Sequence, residues 1–229
     1  MIAVPDIIIA VDGCSSTGKS SFAKEVARTF GFLYLDSGAL YRGVTLFAQE
    51  KGLISEDNLI SDELEQALGG LDLHFGEGGF LYISQRCIES EIRGMKVSSQ
   101  VSPISALSYV RVYVDERLHL LSSGGRVVMD GRDIGTTVFP HAELKIFMTA
   151  RDEVRAKRRF DEMLAKGGNP VYEEVLANLK ERDYIDSHRS VSPLRQADDA
   201  FVLDNSDMTM KEELSWIMGV IQGKFGILQ

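Results

Sequence analysis

The stretch GCSSTGKS, residues 13–20, decides the fold of this chain of 229 residues. An apolar run at residues 7–11 precedes it, and the helical pattern SFAKEVARTF follows it, so a strand leads into the loop and a helix leaves it. The pattern G-x-x-x-x-G-K-[ST] needs this context, because inward backbone N–H groups and the helix dipole together attract phosphate. The sequence therefore predicts a phosphate-binding loop, the alternative being a glycine-rich turn that only caps a helix.

Each part of this P-loop has a predicted role. Gly13 and Gly18 allow unusual backbone angles, Lys19 reaches the β- and γ-phosphates, and Ser20 is a ligand of Mg²⁺. The residues expected to bind ATP here are Gly13, Cys14, Ser15, Ser16, Thr17, Gly18, Lys19, Ser20 and Ser21. Cys14 is either a small, tolerated side chain or a reactive thiol near a helix N-terminus.

Outside the loop, apolar runs and helical patterns alternate along the chain. Four more β-rich runs lie at 33–35, 127–129, 144–148 and 201–203. Helical spacing occurs at about 19–30, 38–50, 104–121, 151–166, 171–187 and 209–222. Continuously apolar strands fit a sheet buried on both faces, so the sequence predicts an α/β fold with a five-stranded parallel sheet flanked by helices.

One segment departs from this alternation. The run LDLHFGEGGFLYISQRCIE alternates with period two around Gly76, Gly78 and Gly79, which predicts a small antiparallel hairpin. We expect an inserted β-containing subdomain over about 60–100. GGNP, residues 167–170, separates two helices and is a predicted hinge.

Composition and charge exclude several classes of protein. The chain is 44% apolar and 26% charged, as globular proteins are, and no run approaches the length of a membrane span. The first residues lack the features of a secretory signal, so we expect a cytoplasmic protein. Two cysteines and four scattered histidines offer neither a disulfide framework nor a zinc site.

The net charge of −9 argues against nonspecific binding of nucleic acid. The acidity is uneven, because residues 49–95 carry ten acidic and three basic side chains, whereas 96–197 carry fourteen acidic and sixteen basic ones. Local charge therefore still permits a phosphorylated ligand. Neither the N-K-x-D nor the D-x-x-G run of a guanine-nucleotide switch is present, and the chain leaves little room for the coupling domain of a motor.

Several further runs stand at or near the ends of predicted strands and helices. They are DSGALYR at 36–42, EIR at 91–93, DGRDIGT at 130–136, ERDYIDSHR at 181–189 and FVLDNS at 201–206. With GCSSTGKS, their order and spacing closely resemble bacterial cytidylate kinase, which transfers the γ-phosphoryl group of ATP to CMP or dCMP. The sequence departs from this family at Cys14 and Ser16, where Pro and Gly or Ala are more usual.

The resemblance implies a single P-loop kinase domain over 1–229. Its core would comprise 1–59, 101–150 and 190–229, with a monophosphate-binding insert at about 60–100 and lid and substrate helices at about 151–189. An acceptor monophosphate needs permanently charged, planar groups, and the candidates are Arg42, Arg111, Arg132 and Arg189.

The resemblance also implies individual roles. It assigns Arg42, Arg132 and Arg189 to the acceptor phosphate and Arg111, Ser102 and Asp133 to cytosine. Tyr41 and Ser37 would lie along the base and sugar, and Arg182 and Asp186 would hold the ribose. Gly131, in the same DGRDIGT run as Arg132 and Asp133, is also expected to bind the substrate. Simpler alternatives exist: Ser37 and Ser102 occupy plausible N-cap positions, Tyr41 could be core, and Arg182 and Asp186 could form a surface pair.

The segment RDEVRAKRRF, residues 151–160, places Arg151, Arg155, Arg158 and Arg159 on one helix face. Such a face is either a solvated surface or a lid that closes over the phosphates of ATP, with Arg155 or Arg158 in direct contact. The predicted catalytic residues are Lys19, Arg132, Arg158 and Arg189. Asp36 and Asp130 could orient waters of Mg²⁺ or serve as caps.

The sequence thus predicts a monomeric kinase that uses ATP and Mg²⁺ to phosphorylate CMP and dCMP, with no nucleic-acid or membrane partner. Two alternatives stay open at this stage. One is a related P-loop kinase for UMP or a metabolite alcohol, and the other is a nucleotide-responsive binding protein without turnover.

Overall fold

The computed structural model describes residues 4–226 and contains the strands and helices of an α/β protein. The strands are β1 (Ile8–Gly13), β2 (Leu33–Asp36), β3 (Leu73–Phe75), β4 (Leu81–Ile83), β5 (Arg86–Cys87), β6 (Val127–Gly131), β7 (Leu144–Thr149) and β8 (Phe201–Asp204). The helices are α1 (Lys19–Phe30), α2 (Ser37–Glu50), α3 (Glu63–Leu68), α4 (Met95–Ser105), α5 (Ser108–Leu121), α6 (Asp152–Ala165), α7 (Tyr172–His188) and α8 (Met210–Phe225). No helix among residues 4–226 is long and apolar enough to cross a membrane.

Two compact units make up the chain. The first contains the residues up to Tyr34 and those from Gly124 onward, and the second is Leu35–Ser123. The insert predicted at 60–100 lies within the second unit, which contains more residues than the predicted insert because it extends from Leu35 to Ser123. The GGNP run connects α6 to α7 inside the first unit.

Strands β1, β6, β7 and β8 of the first unit belong to a five-stranded sheet with strand order β2-β6-β1-β7-β8. β1 pairs in parallel with β6 and β7, so that Ile9 lies opposite Val128 on one side and Leu144 on the other. α1 and α8 cover one face of these strands, where Phe22 and Ile217 belong to the same core cluster as Ile9, and residues of the other face, such as Ala10 and Met129, are buried as well. The predicted parallel α/β sheet is confirmed.

Backbone geometry explains the glycines of the P-loop. Gly13 has φ of +147°, and a Cβ there would lie 2.1 Å from the carbonyl oxygen of Met148. Gly18, the residue before α1, has φ of +91°. Ser16 has φ of +59°, a left-handed conformation that is uncommon for residues other than glycine. This conformation gives a physical reason why a glycine is more usual there.

In the second unit, β3, β4 and β5 form a three-stranded antiparallel sheet, with Leu73 opposite Ile83 and Tyr82 opposite Cys87. The predicted hairpin is therefore present, with one additional short strand. Gly43 of α2 packs closely against Leu73 of this sheet, because a Cβ there would lie 2.8 Å from a methyl group.

The helix predicted at 104–121 is wrong in its extent. Two helices, α4 and α5, occupy this part of the chain and are separated at Leu107, whose backbone is extended. Pro103 lies inside α4 rather than at the first position of a helix, so Ser102 is not an N-cap. Apolar spacing continues through 104–121, and for that reason periodicity alone does not reveal the break.

The N-cap alternative for Ser37 is also wrong. The preceding residue, Asp36, caps α2, because its carboxylate accepts a hydrogen bond from the backbone N–H of Ala39 at 2.9 Å. Ser37 is the first helical residue and is buried.

Candidate active site

Lys19 lies at the start of α1 and is almost completely buried, with 5% of its surface exposed. Its Nζ donates hydrogen bonds to the carbonyl oxygen of Cys14 at 2.5 Å and to Oγ1 of Thr17 at 3.3 Å. Burial, followed by the positive charge of Arg132, lowers the pKa of Lys19 to about 7. An anion in the loop would reverse this effect, because it favours the ammonium form.

Ser20 and Asp130 bring a hydroxyl and a carboxylate together beside the loop. Ser20 Oγ donates to Asp130 Oδ2 at 2.8 Å, and Tyr34 OH donates to Asp130 Oδ1 at 2.7 Å. These oxygen donors match the preference of Mg²⁺, which takes few protein ligands and keeps several waters. The described residues 4–226 contain no group of three or more His, Cys, Asp or Glu suited to a metal ion. A dedicated protein cage of that kind is therefore absent from this part of the chain, but a nucleotide-borne magnesium ion does not require one.

Ser15 at the P-loop is a junction for three other elements. Its N–H donates to Asp183 Oδ1 of α7 at 3.1 Å, and its carbonyl oxygen accepts from Nη1 of Arg155 of α6 at 3.0 Å. Its Oγ accepts from Nη2 of Arg132 at 2.9 Å. The loop, the two helices and the turn after β6 are thus fixed to one another through a single buried serine.

Arg132 and Arg189 are held side by side by buried carboxylates. Arg132 Nε donates to Asp186 Oδ2 at 2.9 Å, and Arg189 Nη1 lies 3.9 Å from Asp186 Oδ1. Arg189 Nη2 donates to Asp133 Oδ1 at 3.2 Å, and both of these side chains are 95% buried. Two neighbouring guanidinium groups are a suitable arrangement for a dianionic phosphate.

The alternative of a surface pair between Arg182 and Asp186 does not fit their burial. Asp186 is buried and binds Arg132, whereas Arg182 is half-buried. Because α7 ends at His188, Arg189 follows the helix rather than belonging to it. Gly131 is the buried last residue of β6, directly before Arg132.

Two of the four arginines of residues 151–159 contact the P-loop. Arg155 contacts Ser15 and also pairs with Asp183 and with Asp152. Arg158 Nη1 donates to the carbonyl oxygen of Thr17 at 3.2 Å. The other two lie at or near the surface: Arg151 pairs with Asp207, and Arg159 pairs with Glu162.

The solvated-face alternative for this segment is therefore wrong for Arg155 and Arg158 and fits Arg151. Carboxylates of the protein itself pair with Arg151, Arg155 and Arg159, and Arg158 is held by Thr17 and Asn205 instead.

Sequence reasoning missed three residues of this region. Asp183 stands within the quoted ERDYIDSHR run and four residues after the buried Leu179, a spacing that could have placed it on the inner face of α7. Asn205 stands within the quoted FVLDNS run, but neither Asn205 nor Asp12 has a spacing that places its side chain at the site. The Asp12 carboxylate accepts from the N–H groups of Ile134 at 2.8 Å and Gly135 at 2.7 Å.

Asp12 therefore ties the end of β1 to the turn that carries Arg132 and Asp133. Burial raises the pKa of Asp12 to about 6, although its two hydrogen bonds act in the opposite direction. Contacts of this kind depend on which loops follow neighbouring strands, and a single sequence does not reveal that.

The second unit contains its own cationic cluster around Asp36. Arg42 Nη2 and Arg93 Nη2 both donate to Asp36 Oδ2, at 2.8 Å and 2.9 Å. Although burial acts to raise the pKa of Asp36, the two guanidinium groups hold it below its ordinary value. Asp36 thus serves as the cap of α2 and as the partner of Arg42 and Arg93.

Tyr41 and Arg111 contact each other within this unit. The guanidinium carbon of Arg111 lies 5.3 Å from the centre of the Tyr41 ring, and Arg111 Nη1 donates to the carbonyl oxygen of Ser105 at 3.3 Å. Both side chains are buried, as is Ser102 one turn before the end of α4. A buried, planar cation beside an aromatic ring suits recognition of a flat polar base.

Cys14 lies half-buried in the P-loop, and burial, followed by the nearby Asp183, raises the pKa of its thiol. Since thiolate is the reactive form, we expect a thiol alkylator to modify Cys14 more slowly than the exposed Cys87 at neutral pH. Mass spectrometry of time-resolved labelling in the single-cysteine variants C14S and C87S measures both rates. Faster labelling of Cys14, with protection by ATP, would show instead that the loop activates its thiol.

Known proteins resemble this chain over most of its length. The family described as cytidylate kinase matches residues 9–223. A protein named cytidylate kinase from Bacteroides fragilis is 49% identical over 221 residues, covering 94% of this chain and 96% of its own. One of the same name from Bacteroides thetaiotaomicron is 50% identical over 216 residues, covering 92% and 94%.

Among solved structures, TT1252 from Thermus thermophilus matches with a TM-score of 0.52 and 19% identity, covering 96% of this chain and 97% of its own. At this level of identity the match supports the fold alone.

Proposed function

The chain belongs to the cytidylate kinase family, and from this premise we propose that it transfers the γ-phosphoryl group of ATP to CMP or dCMP. The products are ADP and CDP or dCDP. The observation that carries the proposal is the junction at Ser15, where the P-loop contacts both Arg132 and Arg155. One loop that holds phosphate next to several fixed guanidinium groups suits phosphoryl transfer, which depends mainly on alignment and neutralisation of charge.

We assign the phosphates of ATP to the P-loop, residues 13–21. Lys19 would contact the β- and γ-phosphates, and Arg155 and Arg158 would neutralise charge that develops on the transferring group. Mg²⁺ would be held by Ser20, with Asp130 accepting from its waters, and would screen the phosphate charges when bound.

We assign the acceptor phosphate to Arg42, Arg132 and Arg189. Ser37, Tyr41, Ser102 and Arg111 of the second unit would contact the base and sugar of CMP, with Asp133 helping to fix the base and Arg182 and Asp186 holding the ribose. No general base is required, because a phosphomonoester already carries close to two negative charges at neutral pH. Cytoplasmic location and a monomeric state stay predictions from the sequence.

A coupled assay of ADP release with CMP, dCMP, UMP, AMP and GMP as acceptors tests this function. We expect CMP and dCMP to give the highest kcat/KM. Rapid turnover of UMP with little turnover of CMP would overturn the specificity, and ATP binding without turnover of any acceptor would favour a binding protein.

The lowered pKa of Lys19 predicts uptake of a proton when Mg-ATP binds. At about pH 8 a group with a pKa near 7 is mostly neutral, and the phosphates favour its charged form, so nucleotide binding should be accompanied by a net uptake of protons. Affinity for Mg-ATP should therefore fall as pH rises above about 7.

Calorimetric titration in buffers of different ionisation enthalpy measures this uptake. Lys19→Met is the control in which it should disappear. Equal proton uptake by the wild type and this variant would show that another group takes up the proton.

A further inference from the structure

Asn205 lies directly after β8 and is 99% buried. Its Nδ2 donates to the carbonyl oxygen of Thr17 at 2.8 Å and to Glu213 Oε1 at 2.8 Å. Its Oδ1 accepts from Arg158 Nη1 at 3.0 Å, and its backbone carbonyl oxygen accepts from Arg158 Nη2 at 2.8 Å. A single amide thus joins the P-loop, α6 and α8.

These contacts leave the amide one orientation. An asparagine side chain has two N–H donors and one carbonyl acceptor, and here both donors and the acceptor have partners. The donor side must face Thr17 and Glu213, because carbonyl and carboxylate oxygens cannot donate. The acceptor side must face Arg158, because a guanidinium cannot accept. An aspartate would fit the space but could not donate to either oxygen.

Glu213 supports the amide from behind. It lies in the first turn of α8, where Thr209 and Glu212 form a reciprocal capping box that fixes the start of the helix. Its side chain is 96% buried, and Oε2 has no hydrogen-bond partner within residues 4–226. Burying a carboxyl group costs free energy unless the group is hydrogen-bonded, and the hydrogen bond from Asn205 offsets part of this cost.

The rest of the loop after β8 also holds α6. Ser206 Oγ accepts from the backbone N–H of Arg151 at 2.9 Å, and Asp207 binds the Arg151 guanidinium at 2.6 Å and 2.7 Å. Arg151 precedes the first residue of α6, and Arg158 follows two turns later. The loop therefore determines both where α6 begins and where the Arg158 guanidinium lies.

We propose that Asn205 is a positioning residue for phosphoryl transfer. It holds Arg158 against the P-loop carbonyl of Thr17, next to Gly18 and Lys19, so that the guanidinium is already aligned when ATP binds. Glu213 fixes the amide in the required orientation. The inference rests on the proposed function, because the group that Arg158 would stabilise is the transferring phosphate.

Kinetics of Asn205→Ala test the inference, with Asn178→Ala as the matched control, since Asn178 is exposed on α7. Loss of alignment by a remote residue can cost up to about a hundredfold in rate, so we expect kcat to fall by about tenfold to a hundredfold. KM for ATP should rise several-fold, whereas KM for CMP should not change. Asn205→Asp should be at least as impaired, because it lacks the donors that face Thr17 and Glu213.

A double mutant separates positioning from general support of the fold. If Asn205 acts through Arg158, combining Asn205→Ala with Arg158→Ala should reduce kcat no further than Arg158→Ala alone. Multiplied losses, or unchanged kinetics of Asn205→Ala, would overturn the inference. Should Asn205→Ala fail to fold by its melting curve, Asn205→Ser takes its place in the same cycle.

Equilibrium titration with ATP distinguishes failure of this inference from failure of the proposed function. If the wild type does not phosphorylate CMP, the proposed function fails. The positioning role is still supported if Asn205→Ala weakens ATP binding in the wild-type background but causes no further loss of ATP affinity in the Arg158→Ala background. If the wild type phosphorylates CMP and the Asn205 variants match it in kcat and in ATP affinity, only the positioning role is lost.

Discussion

Replacing Lys19 with methionine lowers kcat for CMP phosphorylation by about a hundredfold to a thousandfold, the range found when one donor to developing charge is removed. Methionine has nearly the length of lysine and suits a site that is 95% buried, so the loop should keep its conformation. What is lost is the ammonium group that would contact the β- and γ-phosphates and neutralise the charge that develops on them.

The same substitution should not destabilise the protein at neutral pH. Burial lowers the pKa of Lys19, which means that holding its charge in the folded protein costs free energy. Removing this group should leave the melting temperature unchanged or raise it. A melting curve of the variant, together with kcat from the coupled assay, checks both statements, and a kcat within tenfold of wild type would contradict the role of Lys19.

Arg132→Ala should slow transfer by about a hundredfold to a thousandfold while weakening ATP binding much less. Arg132 is assigned to the acceptor phosphate, and its contacts with Ser15 and Asp186 orient it for this. Its positive charge also contributes to the lowered pKa of Lys19. Its removal should therefore raise that pKa and favour the charged lysine that binds ATP, which opposes any loss of affinity.

Rapid-quench measurement of transfer and equilibrium titration with ATP separate these two effects. Arg28→Ala is the control, because Arg28 is an exposed arginine paired only with Glu25 among the contacts described. Equal losses of transfer rate and ATP affinity in Arg132→Ala would refute the assignment to the acceptor phosphate. Proton uptake on ATP binding at about pH 8 should also be smaller in this variant than in the wild type.

Sequence reasoning gave the sheet and the P-loop because both depend on local patterns. Buried parallel strands are continuously apolar, and the loop needs glycine where Gly13 and Gly18 have positive φ. The sequence pattern did not predict the helix break at Leu107, because the spacing of apolar residues is the same on both sides of Leu107 and Pro103 is tolerated inside α4.

The part of the site that escaped prediction consists of contacts between distant segments. Asp183 contacts Ser15, which lies 168 residues away in the sequence, and Asn205 contacts Thr17, which lies 188 residues away. Helical spacing placed Arg151, Arg155, Arg158 and Arg159 on one face. It could not predict that carboxylates of α7 and of the loop after β8 would meet Arg155 and Arg151.

We expect this chain to move a phosphoryl group from ATP to CMP rather than to water. Phosphorus NMR of a mixture of the enzyme, Mg-ATP and CMP follows the group directly. We predict that the γ-phosphate signal of ATP declines as the β-phosphate signal of CDP grows in equal amount, and that Lys19→Met suppresses both changes. Growth of inorganic phosphate in place of CDP, or loss of ATP at the same rate without CMP, would show hydrolysis of ATP instead of transfer to CMP.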